Sequence, residues 1–299
     1  MKKAEDERAP AFFIEGTRIA VRPLAPGLHV VATPIGNLGD VTLRALATLA
    51  AADLIACEDT RVTRVLLDRY GIATPLLPYH EHNAAEQRPK LMAALAEGKA
   101  VALASDAGTP LISDPGYRLV VETAAAGHAV VPLPGASALL AALVTAGLPT
   151  DTFLFAGFLP QKEVGRRKRL AELAAVPATL VFYESPNRLA DALADMAAVL
   201  GDRPAAVARE LTKAFETVRR GTLAGLAAQF ASEPAPKGEI VVVVGPPLEK
   251  TVAPEDVDAL LLSLLAARSV RESADEAAAL TGLSRRDLYQ RALALKDRR

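Results

Sequence analysis

The chain has 299 residues, 51% of them apolar, and a net charge of −1; that length holds two domains and a small third, and the near-neutral charge excludes a protein that grips nucleic acid by its overall electrostatics, leaving only local basic patches. No run of about 18 apolar residues offers a membrane-spanning helix, residues 1–10 lack the apolar core of a signal peptide, and the single cysteine, Cys57 in an apolar run, reads as a buried thiol in a reducing compartment. The expected location is cytoplasmic, with no membrane partner.

Residues 1–26 read as an N-terminal extension with little structure, closed by Pro23, Pro26 and Gly27. Leu28–Ala32 is the first strand. It runs into Thr33-Pro34-Ile35-Gly36-Asn37-Leu38-Gly39-Asp40, and residues 42–51 then show helical apolar spacing. This strand, glycine loop, helix order lacks both G-x-G-x-x-G and a Gly-Lys-Ser/Thr ending, so a pyrophosphate cradle is not expected. Leu54–Cys57 is a strand ending in Glu58-Asp59. Those carboxylates either hold a cation or sugar hydroxyl or cap the next helix. His80 and His82 are two apart, but no further His/Cys cluster supports them, so no metal is expected.

Arg88–Glu97 is a helix and Ala100–Ala104 a buried strand. The stretch that follows, Ser105-Asp106-Ala107-Gly108-Thr109-Pro110-Leu111-Ile112-Ser113-Asp114-Pro115-Gly116, is dense in Gly, Pro, Asp, Ser and Thr before a helix at 117–126. Such a loop exposes backbone groups and lets a ligand come close to the main chain, and at the carboxyl end of a strand it reads as a ligand loop. Val130–Leu133 is another strand, ending in Pro134-Gly135-Ala136-Ser137, with Ser137 placed to cap the helix that runs to Ala146. Strands alternating with helices predict a mostly parallel sheet. The domain boundary is expected at Gly147–Thr150.

The second half repeats the rhythm, with strands at 152–156, 178–183, 205–208 and 240–244. Lys162, Arg166, Arg167, Lys168 and Arg169 against one Glu163 make a local charge of +4. This is either a solvated helix face or, as the unusual density favours, a phosphate-backbone contact. Gly245-Pro246-Pro247 closes the domain. Helices at 254–266, 270–280 and 285–295, with Thr281-Gly282-Leu283-Ser284 between the last two, read as a helix-turn-helix. Residues 268–299 carry eight basic and five acidic residues, among them Arg285, Arg286, Arg291, Arg298 and Arg299. Nucleic-acid contact and plain helical packing are both open for this tail.

The 33–40 loop, the Ser-Asp-Ala-Gly-Thr-Pro loop with Ser113-Asp114-Pro115-Gly116, Pro134–Ser137, Tyr183-Glu184-Ser185-Pro186-Asn187-Arg188 and Arg209-Glu210-Leu211-Thr212-Lys213 occur in this order. Together they resemble the bacterial small-subunit rRNA cytidine 2′-O-methyltransferases, a branch of the tetrapyrrole methylase superfamily. The resemblance covers residues 28–247 and the helical C-terminus, and excludes residues 1–26. It implies an α/β protein: methylase domains at 27–149 and 150–250 with S-adenosylmethionine in the cleft between them, a helix-turn-helix-like domain at 251–299, and a homodimer. It implies methylation of a cytidine ribose in the decoding region of small-subunit rRNA, within the assembled 30S subunit. The alternative is a small-molecule methyltransferase acting on a tetrapyrrole-like ring.

The resemblance places the cofactor on Pro34, Gly36, Ser105, Asp106, Ala107, Gly108, Thr109, Ser113, Pro134, Gly135, Ser137, Ala156 and Glu184. The RNA falls on Lys162, Arg166, Arg167, Lys168, Arg169, Arg285 and Arg286. The residues agree with that chemistry. A sulfonium carrying an amino acid and an adenosine needs close glycine approach, at Gly108 and Gly135, and a carboxylate such as Asp106, but no metal. Removal of the hydroxyl proton needs a base, for which Glu210 and Lys213 are the candidates; a structural ion pair three residues apart is the other reading of those two.

Overall fold

The structure, a computed structural model, describes residues 9–248 and 254–297. It opens with a hairpin where the sequence suggested little structure. β1 (Ala11–Ile14) pairs antiparallel with β2 (Thr17–Ala20) around Glu15 and Gly16, both at positive φ, the geometry that a two-residue turn between twisted strands requires. Phe12 is buried and the Phe13 amide donates to Tyr70 O at 2.8 Å, so the hairpin is pinned to the fold behind it. Ala-Phe-Phe-Ile and Thr-Arg-Ile-Ala lack the apolar–polar alternation that would mark a half-buried strand in sequence.

Next come β3 (Gly27–Val31), α1 (Leu43–Ala51), β4 (Leu54–Cys57), α2 (Thr60–Arg69), β5 (Leu76–Pro78), α3 (Ala84–Ala96), β6 (Ala100–Ala104), α4 (Tyr117–Ala125) and β7 (Val130–Leu133). The sheet order is β5-β4-β6-β3-β7 and every pairing is parallel. All five residues of β6 are buried, as expected for a central parallel strand covered on both faces. Side-chain caps start the helices: Thr42 Oγ1 accepts from Ala45 N and Asp59 Oδ1 from Arg61 N. Parallel pairing brings the carboxyl ends of β3, β4, β6 and β7 to one edge.

The chain continues through α5 (Ala138–Ala146), β8 (Phe153–Phe158), α6 (Glu163–Leu173), β9 (Thr179–Glu184), α7 (Leu189–Leu200), β10 (Pro204–Arg209), β11 (Thr217–Thr222), α8 (Leu223–Ser232) and β12 (Ile240–Val244). This sheet has the order β11-β10-β12-β9-β8 and is not the parallel sheet that the helix–strand rhythm predicted. Only β8 and β9 pair in parallel; β12 runs antiparallel to both neighbours, and β10 to β11. The reason is β11, a polar strand with no apolar run to announce it. The turn from β10 to β11 spares a crossover, and the chain returns through α8 to enter β12 from the opposite end.

Leu180, Phe182, Val242 and Val244 pack under α6, α7 and α8, while Val181, Val241 and Val243 pack with Ala142, Leu143 and Ala146 of α5. The helix that precedes Gly147–Thr150 therefore covers the second sheet, and Ile35 of the first domain joins the same cluster.

Residues 1–247 form one compact unit and 248–299 another. The second holds α9 (Pro254–Leu265), α10 (Val270–Thr281) and α11 (Arg285–Asp297) around Leu261, Ala274, Ala277, Leu288 and Ala292. Ser269 and Glu272 form a reciprocal capping box at the start of α10, and Gly282 ends it in the left-handed conformation.

Candidate functional site

The carboxyl edge of the first sheet is tied into one piece. Thr33 and Gly108 exchange backbone hydrogen bonds at 2.9 and 3.1 Å, and Thr33 Oγ1 donates to Ser105 O at 2.9 Å. Ser105 Oγ donates to Asp114 and accepts from Ala107 N at 3.1 Å. Thr109 Oγ1 donates to Ala136 O at 3.2 Å, joining this loop to the Pro134–Ser137 turn, where Ser137 caps α5. Asp106 Oδ1 accepts from Asp59 N at 2.9 Å. Asp59 thus proves to be the helix cap among its two readings, and the Arg61 side chain and amide hold its carboxyl down to about 2. Burial pushes the Asp106 and Asp114 carboxyls up.

The second sheet meets this edge with the ends of β8, β9 and β10 and the start of β12. Lys213 Nζ donates to Glu210 Oε1 at 2.8 Å and to Glu239 Oε2 at 3.1 Å. Glu210 Oε1 also accepts from Glu239 N at 2.9 Å. Lys213 holds the Glu210 carboxyl below the glutamate range. Burial acts to lower the Lys213 ammonium, but the two carboxylates more than reverse it and leave it raised. The stem of Lys213 lies on Gly36 of the first domain, where a Cβ would come within 2.7 Å of Lys213 Cε. Beside it, Asn37 N donates to Thr212 Oγ1 at 3.2 Å. Five non-glycine residues among those described have positive φ; Leu111 and Ser113 are two, Glu210 and Thr212 two more. Backbone held in that region costs about 1–3 kcal/mol each and persists where surroundings over-determine it, as at ligand sites.

Between these two walls lies a cavity of about 400 Å³. Asp106, Ala107, Gly108, Thr109, Ser113, Ser137 and Glu184 line it, of the residues expected to hold a cofactor. Pro34, Gly36, Ser105, Pro134, Gly135 and Ala156 do not: Ser105 is buried behind the wall it braces, and a Cβ on Gly135 would meet Ala32 Cβ at 3.0 Å, so that glycine serves close packing of the turn on β3. The Glu184 side chain is fully buried, accepting from Ser185 N at 2.7 Å and pairing with Arg188 at 3.3 Å. Neither Glu210 nor Lys213 lines the cavity, but their partner Glu239 does. Sequence reasoning did not single out Glu239 or Phe158, and it reached Ile112, Asp114 and Leu211 only as members of the 105–116 and 209–213 stretches. In a parallel sheet Glu239, just before a strand, would lie at the far edge; antiparallel β12 brings it beside Glu210.

The basic cluster divides. Arg166 is a correction: its side chain is 7% exposed, its Nε and Nη2 both bond Asp195 Oδ2 at 2.6 Å, and Nη1 reaches Gln161 O. It is spent inside the fold and offers nothing to a phosphate. Arg167 pairs with Asp195 Oδ1 and with Glu163, and Arg169 with Glu172, both half-exposed. Lys162 and Lys168 are exposed with no ion pair among the described residues. In the C-terminal unit Arg268, Arg285 and Arg291 pair with Glu276, Asp275 and Asp258. Arg286 is exposed and unpaired among the described residues, while Arg298 and Arg299 lie outside them. No set of His, Cys, Asp and Glu able to hold a metal occurs among the described residues, and no helix there is long and apolar enough to cross a membrane.

Compared with known proteins, residues 27–227 match the family described as Tetrapyrrole (Corrin/Porphyrin) Methylases, and residues 251–296 the RsmI C-terminal HTH domain. A Mesorhizobium japonicum protein named Ribosomal RNA small subunit methyltransferase I is 61% identical over 94% of this chain and 96% of its own. The protein of that name from Erythrobacter litoralis is 54% identical over 93% of this chain and 98% of its own, and that from Escherichia coli O157:H7 47% over 89% and 94%. Among solved structures, a cobalt precorrin-4 methyltransferase superposes with a TM-score of 0.55 at 19% identity, covering 73% of this chain and 94% of that one. A Thermus thermophilus uroporphyrin-III C-methyltransferase solved with S-adenyl homocysteine gives 0.52 at 20%, covering 73% and 96%. At such identities the likeness is one of fold.

Proposed function

The chain belongs to the tetrapyrrole methylase family, in its ribosomal RNA small subunit methyltransferase I branch, and from that premise we propose that it transfers the methyl group of S-adenosylmethionine to the ribose 2′-hydroxyl of a cytidine in small-subunit rRNA. The observation that carries the substrate class is the 61% identity to an rRNA methyltransferase over 94% of the chain, against 19% to a corrin-ring enzyme that shares the fold.

The cavity's chemistry suits the cofactor. Asp106 and Asp114 supply negative charge for a cation, Ile35, Ile112 and Phe158 supply apolar wall, and the 105–116 loop, with Leu111 and Ser113 at positive φ, forms one side of the space between them. No phosphate cradle or metal is asked for. When bound, the cofactor supplies an electrophilic methyl on a sulfonium. The protein's task is then alignment and proton removal, and holding nucleophile and methyl in line supplies much of the rate.

Lys213, held as an ammonium, is a donor. Aimed at the acceptor oxygen, it would favour the alkoxide that develops there. Of its carboxylate partners, Glu239, the one on the cavity wall, would take the proton, with Glu210 holding Lys213 in place. Lys162, Lys168 and Arg286 are the unpaired cations we assign to phosphate contact, with Arg167, Arg169 and Arg285 able to exchange an exposed carboxylate for a phosphate. The family also carries the expectation of a homodimer acting on the assembled 30S subunit.

The test is methyl transfer from labelled S-adenosylmethionine to small subunits and to their naked RNA, with the label mapped. Label on a cytidine ribose supports the reading. No transfer to RNA in either form, with transfer to a tetrapyrrole, would overturn it.

A further inference from the structure

The loop from Glu210 to Glu216 is braced at nearly every residue. Leu211 is buried against the cavity. Thr212 accepts from Asn37 N, and its own amide donates to Glu216 Oε2 at 2.6 Å. Lys213 is held by two carboxylates, and the Glu216 amide donates to Lys213 O at 3.1 Å. Arg209 clamps the loop from below: Nη2 donates to Phe215 O at 3.2 Å and Nη1 to Lys237 O at 3.0 Å.

On this rigid, strained loop the Phe215 ring stands 75% exposed, the most exposed of the eight phenylalanines. A single exposed apolar residue is ordinary. What distinguishes Phe215 is its mounting. Its backbone is fixed, its ring has no packing role, and it lies two residues from the Lys213 ammonium. Lys237, whose backbone carbonyl is held by the same arginine, is exposed with no ion pair among the described residues. An exposed aromatic on fixed backbone, with an unpaired lysine whose main chain is held by the same arginine, offers what single-stranded nucleic acid needs: a ring to stack on a base whatever its identity and an ammonium for the backbone.

Resting on the RNA methyltransferase reading, we infer that Phe215 is a stacking platform for an unpaired base next to the target cytidine, with Lys237 on the adjoining phosphate. A nucleotide whose 2′-hydroxyl must reach the cavity is pulled out of its neighbours' stack, and the ring replaces part of what the RNA loses. The platform acts on binding and placement of the acceptor and leaves the cofactor untouched.

The experiment uses the full-length protein, small ribosomal subunits and labelled S-adenosylmethionine, with wild type measured first. Phe215→Ala should raise KM for the subunit roughly tenfold, with kcat much less affected. Cofactor affinity by calorimetry, thermal midpoint and oligomeric state should all match wild type. Phe215→Trp and Phe215→Tyr should restore KM, whereas Phe215→Leu, apolar but without a flat face, should not. Lys237→Ala should reduce the salt dependence of RNA binding by about one phosphate contact, a slope that Phe215→Ala leaves alone. Wild-type methylation with an unchanged KM in Phe215→Ala overturns the platform and spares the proposed function. So does full rescue by leucine, or a changed oligomeric state, which would make the ring a protein contact. A wild type that labels no RNA takes both down.

Discussion

Replacing Asp195 by Asn tests whether the basic helix α6 is anchored to the core or free to serve RNA. Asp195 is 4% exposed in its side chain and takes Arg166 on one oxygen and Arg167 on the other. Asparagine keeps the shape and removes the charge. Arg166, itself 7% exposed, is then a cation with no carboxylate within the fold. Removing one partner of a buried pair costs about 3–5 kcal/mol, far more than the pair contributes relative to an apolar substitute. For a unit of this size each kcal/mol lowers the midpoint by about 2–4 °C, so the fall should be on the order of 10 °C. Calorimetric melting reads it directly, and cofactor affinity of the folded variant at low temperature should equal wild type. Arg166→Glu should fail in the same way, by instability. Lys168→Glu should melt normally and lower the salt slope of RNA binding by about one. A midpoint for Asp195→Asn within a degree or two of wild type would refute the reasoning, reducing the pair to the value of a surface contact.

Asp106→Asn keeps an acceptor for the Asp59 amide while removing the charge; cofactor affinity should fall about tenfold or more, the cost of an unpaired buried partner, with little change in melting. Asp106→Ala should lose both. Lys213→Met should lower kcat by about two orders of magnitude without weakening cofactor binding. It should also change acid stability. Glu210 is held below the ordinary range, so its contribution is complete above about pH 4.3 and is lost as pH falls through the lowered value; without Lys213 that loss moves to higher pH in acid titration of the fold. Truncation after Pro247 should leave a folded, cofactor-binding unit whose defect lies in KM for RNA more than in kcat, because contacts remote from the reacting hydroxyl bind ground and transition state alike. A lowered midpoint with full activity per folded molecule would make the helices a stabiliser.

Sequence carried four of the five strands of the first sheet, because each of those is an apolar run ahead of a loop, a pattern that β3, β6 and β7 repeat; it missed β5, three residues long and closed by Pro78. It carried the second sheet poorly, because a run such as Ile240–Val244 states burial and says nothing of direction. Strand polarity is decided by β11, whose sequence, Thr-Val-Arg-Arg-Gly-Thr, has no apolar signature. The cost fell on the site: with β12 taken as parallel, Glu239 could not be brought to Glu210. Loop composition did identify the 105–116 wall, since glycine, proline and short polar residues reflect backbone demands directly. Charge counting misled at Arg166, because a tally along the chain cannot see that Asp195, on the next helix, faces it. Ala156 could be assigned only by resemblance, and Gly135, read as a point of close ligand approach, is instead packed against Ala32.

The contact of Gly36 with Lys213 has a bearing on how such proteins can be rebuilt. The two halves look separable, and a graft at residue 149 would keep every strand and helix whole. Yet a glycine in one half is shaped to a lysine stem in the other, and the amide of Asn37 waits on the hydroxyl of Thr212. Exchange between relatives would have to move the 33–40 and 210–216 loops together, as one inherited part, or return a chimaera that folds on both sides of the seam and turns over nothing.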